Sequence, residues 1–219
     1  MKILILPALL LTLTFVSFGQ NEQAPIKEES IKYKDWTYKS IRGDESINLR
    51  EFVKDKKLVL VLYFAPWCSN WKHEAPFAQK LYEKYKSHGF AIIGVGEYDT
   101  VEAMKTGVDS LKITFPVVYE SDSKYARQNT THYDYRVDLK DTRNWGSPWN
   151  IFLIPDNLKE KGDVITKKAF VSAGELIEIE AEKFVREKLG LPPENTKAEV
   201  PGKPLEVCAE DTSTAFKKP

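Results

Sequence analysis

Residues Val59–Pro76 have the sequence VLVLYFAPWCSNWKHEAP, and this stretch decides the fold. A continuous run of branched and aromatic residues ends at Pro66, which is typical of a buried strand followed by a tight turn. The amphipathic segment after the turn predicts a helix with Cys68 in its first turn. Free N–H groups and the positive end of the helix dipole stabilise a thiolate at such a position. Cys68 is therefore the candidate nucleophile.

The composition narrows the class of function. The 219 residues allow one domain with appendages, and 42% hydrophobic residues are enough for a core. The 32 basic residues balance the 32 acidic ones without a basic stripe, so no nucleic-acid partner and no membrane-surface partner is expected. The three histidines, His73, His88 and His132, lack metal-ligand spacing. We expect no metal and no cofactor.

The N-terminus has the pattern of a secretory signal. Lys2 precedes the apolar stretch Ile3–Phe18, and the small residues Ser17 and Gly19 stand before a possible cleavage site. We predict a signal peptide over residues 1–19 and an exported protein, periplasmic or secreted, with no stable membrane span after cleavage. An uncleaved anchor is the alternative, although the apolar stretch is short for a membrane span.

Export leads to an oxidising compartment, but two cysteines do not make a disulfide framework. Cys68 and Cys208 are either one bridge, or one functional thiol and one spare. Cys208 lies in a proline-rich tail, predicted over residues 191–219, and a flexible tail can reach a distant site. Nothing near Cys208 indicates a fixed position, so an idle thiol or a bond to another chain is preferred to a bond with Cys68.

Apolar runs and helical periodicity alternate along the middle of the chain. Strands are predicted at 57–64, 90–96, 115–119, 149–154 and 164–171, with helices at 75–88, 100–111, 122–128 and before Gly190. This order predicts the α/β class, with a central mixed, mostly parallel sheet flanked by helices and an antiparallel pair at one edge. The domain is predicted over 44–190. Residues 20–43 form an N-terminal extension, whose first part, 20–30, is expected to be disordered.

Two further segments carry expectations of their own. Residues 129–144 are polar and aromatic-rich without periodicity, which is typical of a functional loop or a lid. Ser172–Glu175 has the pattern of a capping box, which predicts the start of the last helix.

The central stretch follows the pattern Trp-Cys-x-x-Cys-(Lys/Arg)-x-Glu-x-Pro at all but one position. The matching residues are Trp67, Cys68, Lys72, Glu74 and Pro76. The similarity continues with Phe115–Val118 and with Ser147–Pro148 before an Ile-Phe-Leu-Ile strand. The chain thus resembles the thioredoxin fold, and within it the exported thiol-disulfide oxidoreductases of the TlpA/ResA type and the broader redoxin (AhpC/TSA-like) group.

The departure from the pattern is Trp71, which stands where that group has its second cysteine. A thiol three residues after Cys68 would lie one helical turn away and could attack a mixed disulfide. Tryptophan cannot do so, and the motif therefore does not supply the dithiol cycle of the family.

The resemblance implies two catalytic residues, Cys68 and Glu74. Glu74 would accept or relay a proton from the thiol, and the alternative is an ordinary acid favoured by the helix dipole. The resemblance also implies a cis bond at Ser147–Pro148 that faces Cys68 and pairs with an extended substrate. The alternative there is a trans proline at the start of an edge strand.

The tryptophans near the cysteine are the remaining site candidates. Trp67 and Trp71 are predicted to contact substrate, and Trp145 and Trp149 are predicted to join them in an apolar collar around the sulfur. Core packing is the alternative, and for Trp149, which enters a strand, it is preferred.

Two functions fit these residues. The first is a single-cysteine thiol-disulfide oxidoreductase that forms mixed disulfides with protein or small-molecule thiols and disulfides through Cys68. A one-cysteine peroxidase is a variant, disfavoured because Ala65 stands where a peroxidatic motif has threonine. The second is a non-catalytic peptide-binding module in which Trp71 fills the vacated thiol site.

Overall fold

The computed structural model describes residues 22–193. The predicted signal peptide, Cys208 and nearly all of the predicted tail lie outside this range, so the expectations on them stay predictions. Within the described range, no helix is long and apolar enough to cross a membrane.

Ten strands, five helices and three short 3-10 turns make up the described chain. The strands are β1 Gln23–Ala24, β2 Lys27–Lys34, β3 Thr37–Ser40, β4 Ser46–Asn48, β5 Leu58–Phe64, β6 Phe90–Gly96, β7 Val117–Tyr119, β8 Trp149–Leu153, β9 Val164–Ser172 and β10 Glu175–Leu176. The helices are α1 Leu49–Phe52, α2 Ser69–Tyr85, α3 Val101–Ser110, α4 Thr131–Asp138 and α5 Glu178–Lys188. The 3-10 turns are Lys86–His88, Lys124–Asn129 and Pro155–Asn157.

Eight of these strands form one mixed sheet in the order β2-β9-β8-β5-β6-β7-β3-β4. The α/β class and the mixed sheet are confirmed, but the expectation of a mostly parallel sheet is wrong. Only β5, β6 and β7 pair in parallel within this sheet. The other neighbouring pairs are antiparallel. Strands β2, β3 and β4 of the N-terminal segment extend both edges, and β8 runs antiparallel to both of its neighbours, β5 and β9.

Residues 20–30 were predicted to be disordered, and for the described part of this segment the prediction is wrong. β1 pairs with β10, and β2 pairs with β9 along most of its length. Ile31 and Tyr33 are buried while Lys32 and Lys34 are exposed. This alternation has the period of a strand with one face on the core. The antiparallel pair β8–β9 consequently lies inside the sheet rather than at its edge.

β5 lies at the centre of the sheet and is buried on both faces. Leu60, Leu62 and Phe64 point to the side that carries α2, α3 and α5. Val59, Val61 and Tyr63 pack on the opposite side, against residues of β2, α1 and α4. The period-two alternation therefore distributes one apolar run between two cores, and it fixes the end of β5 rigidly beneath the turn that carries Cys68.

Two local predictions differ from the structure. The segment 129–144, expected as a functional loop or lid, contains α4, which Thr130 caps by accepting the N–H of Tyr133. α4 buries His132, Tyr135 and Arg136, so this part is core-packed. The expected capping box is also absent, since Glu175 belongs to β10 and α5 begins three residues after it, at Glu178, without a side-chain cap.

Candidate active site

The turn between β5 and α2 fixes the position of Cys68. Its N–H donates to the carbonyl of Ala65 at 3.0 Å, which closes the turn. Cys68 is the N-cap of α2, with φ −71° and ψ 123°, and its own carbonyl accepts the N–H of Lys72 at 3.1 Å. The thiol thus sits where the first N–H groups of a long helix are unpaired.

A proline loop faces this turn and is bonded to it twice. The Ser147–Pro148 peptide bond is cis. The Ser147 hydroxyl accepts the N–H of Ala65 at 2.9 Å, and the Cys68 Sγ donates to the Ser147 carbonyl at 3.1 Å. The structure therefore brings together three of the predicted site residues, Cys68, Ser147 and Pro148.

A groove of about 290 Å³ opens in front of the sulfur, which is half-buried. Its lining comprises Glu22, Trp67, Cys68, Ser69, Asn70, Arg143, Asn144, Trp145, Gly146 and Ser147. The rings of Trp67 and Trp145 meet edge to face with their centres 5.2 Å apart. We call this space the Cys68 groove. Two of the four tryptophans of the predicted collar line it.

Trp71 lies elsewhere, and its predicted contact with substrate is corrected here. It is 2% exposed and stacks on Phe64 with ring centres 4.3 Å apart, within the core between the sheet and α2. The helix turns this position away from the groove, so Trp71 has no free face for a ligand. Trp149 is also in the core, on the other side of the sheet.

Glu74 is buried on the same helix. Its Oε2 accepts the N–H of Leu176 at 2.6 Å and the Nδ2 of Asn150 at 3.0 Å, whereas its Oε1 is buried without a donor. Burial raises the pKa of Glu74 to about 8, although these two hydrogen bonds oppose the rise. The neighbouring Glu175 carboxylate raises this pKa further. With this pKa, the Glu74 carboxyl group on the buried side of α2 is mostly neutral at pH 7.

Glu175 is a part of the site region that the sequence did not indicate. Its side chain is 1% exposed, and its Oε2 lies 2.7 Å from the Nδ1 of His73. A buried carboxylate needs such a partner. His73, whose side chain is otherwise exposed, therefore links α2 to β10 through this contact.

A cluster of charges lies beneath the proline loop and was also missed. Arg136 Nε donates to Asp141 at 3.1 Å, and Arg143 donates to the same carboxylate at 2.8 Å and to the Pro148 carbonyl at 3.2 Å. Gly146 lies directly over Arg136 with φ +59°, and a Cβ there would overlap the guanidinium. No local sequence pattern connects these residues, because their contacts depend on the fold.

His132 packs behind the same loop. It is fully buried, its ring stacks on Tyr63, and its Nδ1 lies 2.9 Å from the Tyr98 hydroxyl. Burial lowers the pKa of His132 well below its usual range, and the charges of Arg136 and Arg143 lower it further. Within residues 22–193, no three His, Cys, Asp or Glu side chains are placed to hold a metal ion.

A cysteine at a helix N-terminus facing a cis-proline loop, on a mixed sheet with helices on both faces, defines the thioredoxin-like class. Solved structures agree. The thiol:disulfide interchange protein of Chlorobium tepidum is 17% identical and has a TM-score of 0.52, over 74% of this chain and 98% of that one. A secreted thiol-disulfide isomerase of Corynebacterium glutamicum is 16% identical, with a TM-score of 0.53 over 74% and 92% of the two chains.

The chain belongs to the AhpC/TSA family, whose model matches residues 31–143, just over half of the chain. The thiol-disulfide oxidoreductase ResA of Oceanobacillus iheyensis is 32% identical over 68 residues, 31% of this chain and 35% of that protein. ResA of Halalkalibacterium halodurans is 29% identical over 122 residues, 55% and 66% of the two proteins. The chain thus covers from about a third to just under two thirds of these relatives.

Proposed function

We propose that this protein is an exported thiol-disulfide oxidoreductase that works through one cysteine, Cys68. The observation that carries the proposal is the placement of the sulfur. It belongs to the N-cap residue of α2, it is half-buried at the Cys68 groove, and it faces the proline loop. The family match and the ResA relatives support thiol and disulfide substrates. The apolar N-terminal stretch supports export.

The cycle needs two exchange steps, because Trp71 cannot resolve the first. The Cys68 thiolate attacks one sulfur of a substrate disulfide R–S–S–R, forms Cys68–S–S–R and releases RS⁻. A thiolate R′S⁻ from an external low-molecular-weight thiol then attacks the R sulfur. R–S–S–R′ leaves, and Cys68 returns as a thiolate, so the bonds and charges balance. Trp67, Ser147 and Pro148 are proposed to contact the R group in the groove.

Glu74 is proposed to supply or take up the proton that these steps exchange. Its pKa of about 8 leaves it protonated at pH 7 and able to ionise in the pH range where thiols do. Glu74 lies on the buried side of α2, where its hydrogen-bond partners are Asn150 and Leu176.

Trapping the mixed disulfide tests the proposal. The full chain with Cys208→Ser, which leaves one thiol, is reduced and then incubated with glutathione disulfide. We expect an added mass of one glutathionyl group, located at Cys68 by peptide mapping and removed by dithiothreitol. The same chain with Cys68→Ser added to Cys208→Ser is the matched control and gains nothing. The absence of any adduct on the folded protein would overturn the proposal.

A binding module without catalysis is the second candidate, and one contact favours it. The Cys68 thiol donates to the Ser147 carbonyl, which is a bond that a thiolate cannot make. In this case the groove binds a peptide whether or not Cys68 is present. Partners recovered equally on the wild type and on Cys68→Ser would favour binding alone, and partners lost with Cys68 and released by reductant would favour exchange.

A further inference from the structure

The entrance of the Cys68 groove is bordered by positive charge. Lys124 Nζ lies 5.5 Å from the centre of the Trp67 ring, and the guanidinium of Arg127 lies 5.0 Å from that of Trp145. Both tryptophans line the groove. Arg127 also donates to the Asn144 carbonyl at 2.9 Å. Neither cation forms an ion pair with any carboxylate of the described residues, so both charges are open to a ligand.

More positive charge lies behind the groove. Arg143 is part of its lining, and Arg136 lies under Gly146. These two guanidinium groups share a single carboxylate, Asp141. Arg136 is 2% exposed, and its Nη1 is buried without a hydrogen-bond partner in the described structure. Asp141 therefore neutralises one of these two charges, and the second is met at the rim of the groove by Glu22.

The opposing charges are fewer. Glu22 lies on the rim of the groove, half-exposed and 3.7 Å from Arg143. His132, which packs behind the loop, is neutral because burial and the arginines hold its pKa low. Asp141 and Glu22 thus pair with the two arginines behind and within the lining, Arg136 and Arg143. The excess positive charge comes from Lys124 and Arg127, which pair with no carboxylate of the described residues.

We propose that the Cys68 groove selects disulfides and thiols that carry negative charge beside the sulfur, of which carboxylates are the fitting group. The proposal rests on the proposed function, since it names the substrate class of the same sulfur. A groove of about 290 Å³ holds one short substituent of a small disulfide. When Cys68 is in a mixed disulfide, that substituent lies near Lys124 and Arg127, which pair with no carboxylate of the described residues. Arg127 offers the planar fork that pairs with a carboxylate.

A pair of thiol reagents of opposite charge tests the selection without any need for turnover. Sulfonatoethyl methanethiosulfonate is anionic, and its trimethylammonium counterpart is cationic. In both, the Cys68 thiolate attacks the sulfenyl sulfur, a disulfide forms, and methanesulfinate leaves. The rates are measured by mass spectrometry on the full chain with Cys208→Ser. We expect the anionic reagent to react faster, and we expect Lys124→Gln with Arg127→Gln to lower the anionic-to-cationic rate ratio roughly fivefold.

Two controls make the outcome decisive. Lys159→Gln with Lys161→Gln removes two positive charges from exposed positions after β8, at the end of the sheet opposite the groove, and should leave the ratio unchanged. In about 1 M NaCl the preference of the unsubstituted groove should collapse, because screening then acts within a few ångströms. Neutral methyl methanethiosulfonate separates the two proposals. If the neutral reagent labels Cys68 but the substitutions at Lys124 and Arg127 leave the anionic-to-cationic rate ratio unchanged, charge selection is overturned and the thiol function stands. If no reagent labels folded Cys68, the function falls, and charge selection falls with it.

Discussion

Tryptophans lie on two sides of Cys68, and their roles differ: one packs in the core, and two line the groove. On the core side, Trp71 is almost fully buried and stacks on Phe64 under the sheet. On the groove side, Trp67 and Trp145 are half-buried and meet edge to face beside the sulfur. The comparison shows that the tryptophan in the position of a second cysteine belongs to the packing of α2. It leaves the open side of Cys68 uncovered.

The largest expected effect is on the core side. Trp71→Ala should lower the free energy of unfolding by about 3–5 kcal/mol, because it empties a large, fully packed site. Urea denaturation followed by circular dichroism measures this loss. Trp71→Phe keeps an aromatic ring against Phe64 and should recover more than half of it. A loss below about 1 kcal/mol for Trp71→Ala would mean that the core tolerates the cavity and would break the comparison.

Glu74 supplies a second test of the core side, through pH. Its folded pKa of about 8 lies above its unfolded value, so the folded state binds the extra proton. Its contribution to stability is therefore fully present below about pH 4.5 and is lost as pH rises towards 8. Glu74→Gln mimics the neutral carboxyl group and should remove this dependence, which is on the order of 3 kcal/mol.

The measurement is a series of urea denaturations from pH 5 to pH 9 on the wild type and on Glu74→Gln. Glu180→Gln is the control, since it removes an exposed carboxylate of α5 and should leave the pH dependence in place. Parallel stability curves for the wild type and Glu74→Gln would show that Glu74 is ionised in the folded protein. The proposed proton role of Glu74 would then lose its support.

The sequence predicted the parts of this site that depend on local order. The strand, turn and helix around Cys68 follow from an apolar run, Pro66 and the amphipathic segment after it, since each is decided within a few residues. The facing proline loop followed from the resemblance, which had to supply the long-range contact. The direction of Trp71 was not predictable in this way, because one helical turn can place a side chain on the core or on the groove.

The rest of the fold was missed where a pattern was weak or misleading. Residues 27–30, the first half of β2, are all polar and were expected to be disordered as part of 20–30, but pairing with β9 orders them. The capping-box pattern at Ser172–Glu175 was misleading because the Glu175 side chain is buried and contacts His73 instead of the start of a helix. The Arg136–Asp141–Arg143 cluster has no sequence pattern, since the fold alone brings it under the loop.

The smallest expected effect on stability belongs to the groove side. Trp145→Ala should change the free energy of unfolding by less than about 1 kcal/mol, because this side chain is partly exposed at the groove and lies outside both cores. The same change removes one wall beside the sulfur and should speed alkylation of Cys68 by neutral iodoacetamide roughly threefold. The rate is measured on the full chain with Cys208→Ser, and Trp71→Phe is the control on the core side. A slower reaction in Trp145→Ala would mean that the tryptophan walls activate or position the sulfur. The groove-side tryptophans would then contribute to the reactivity of Cys68 and would not only limit access to it.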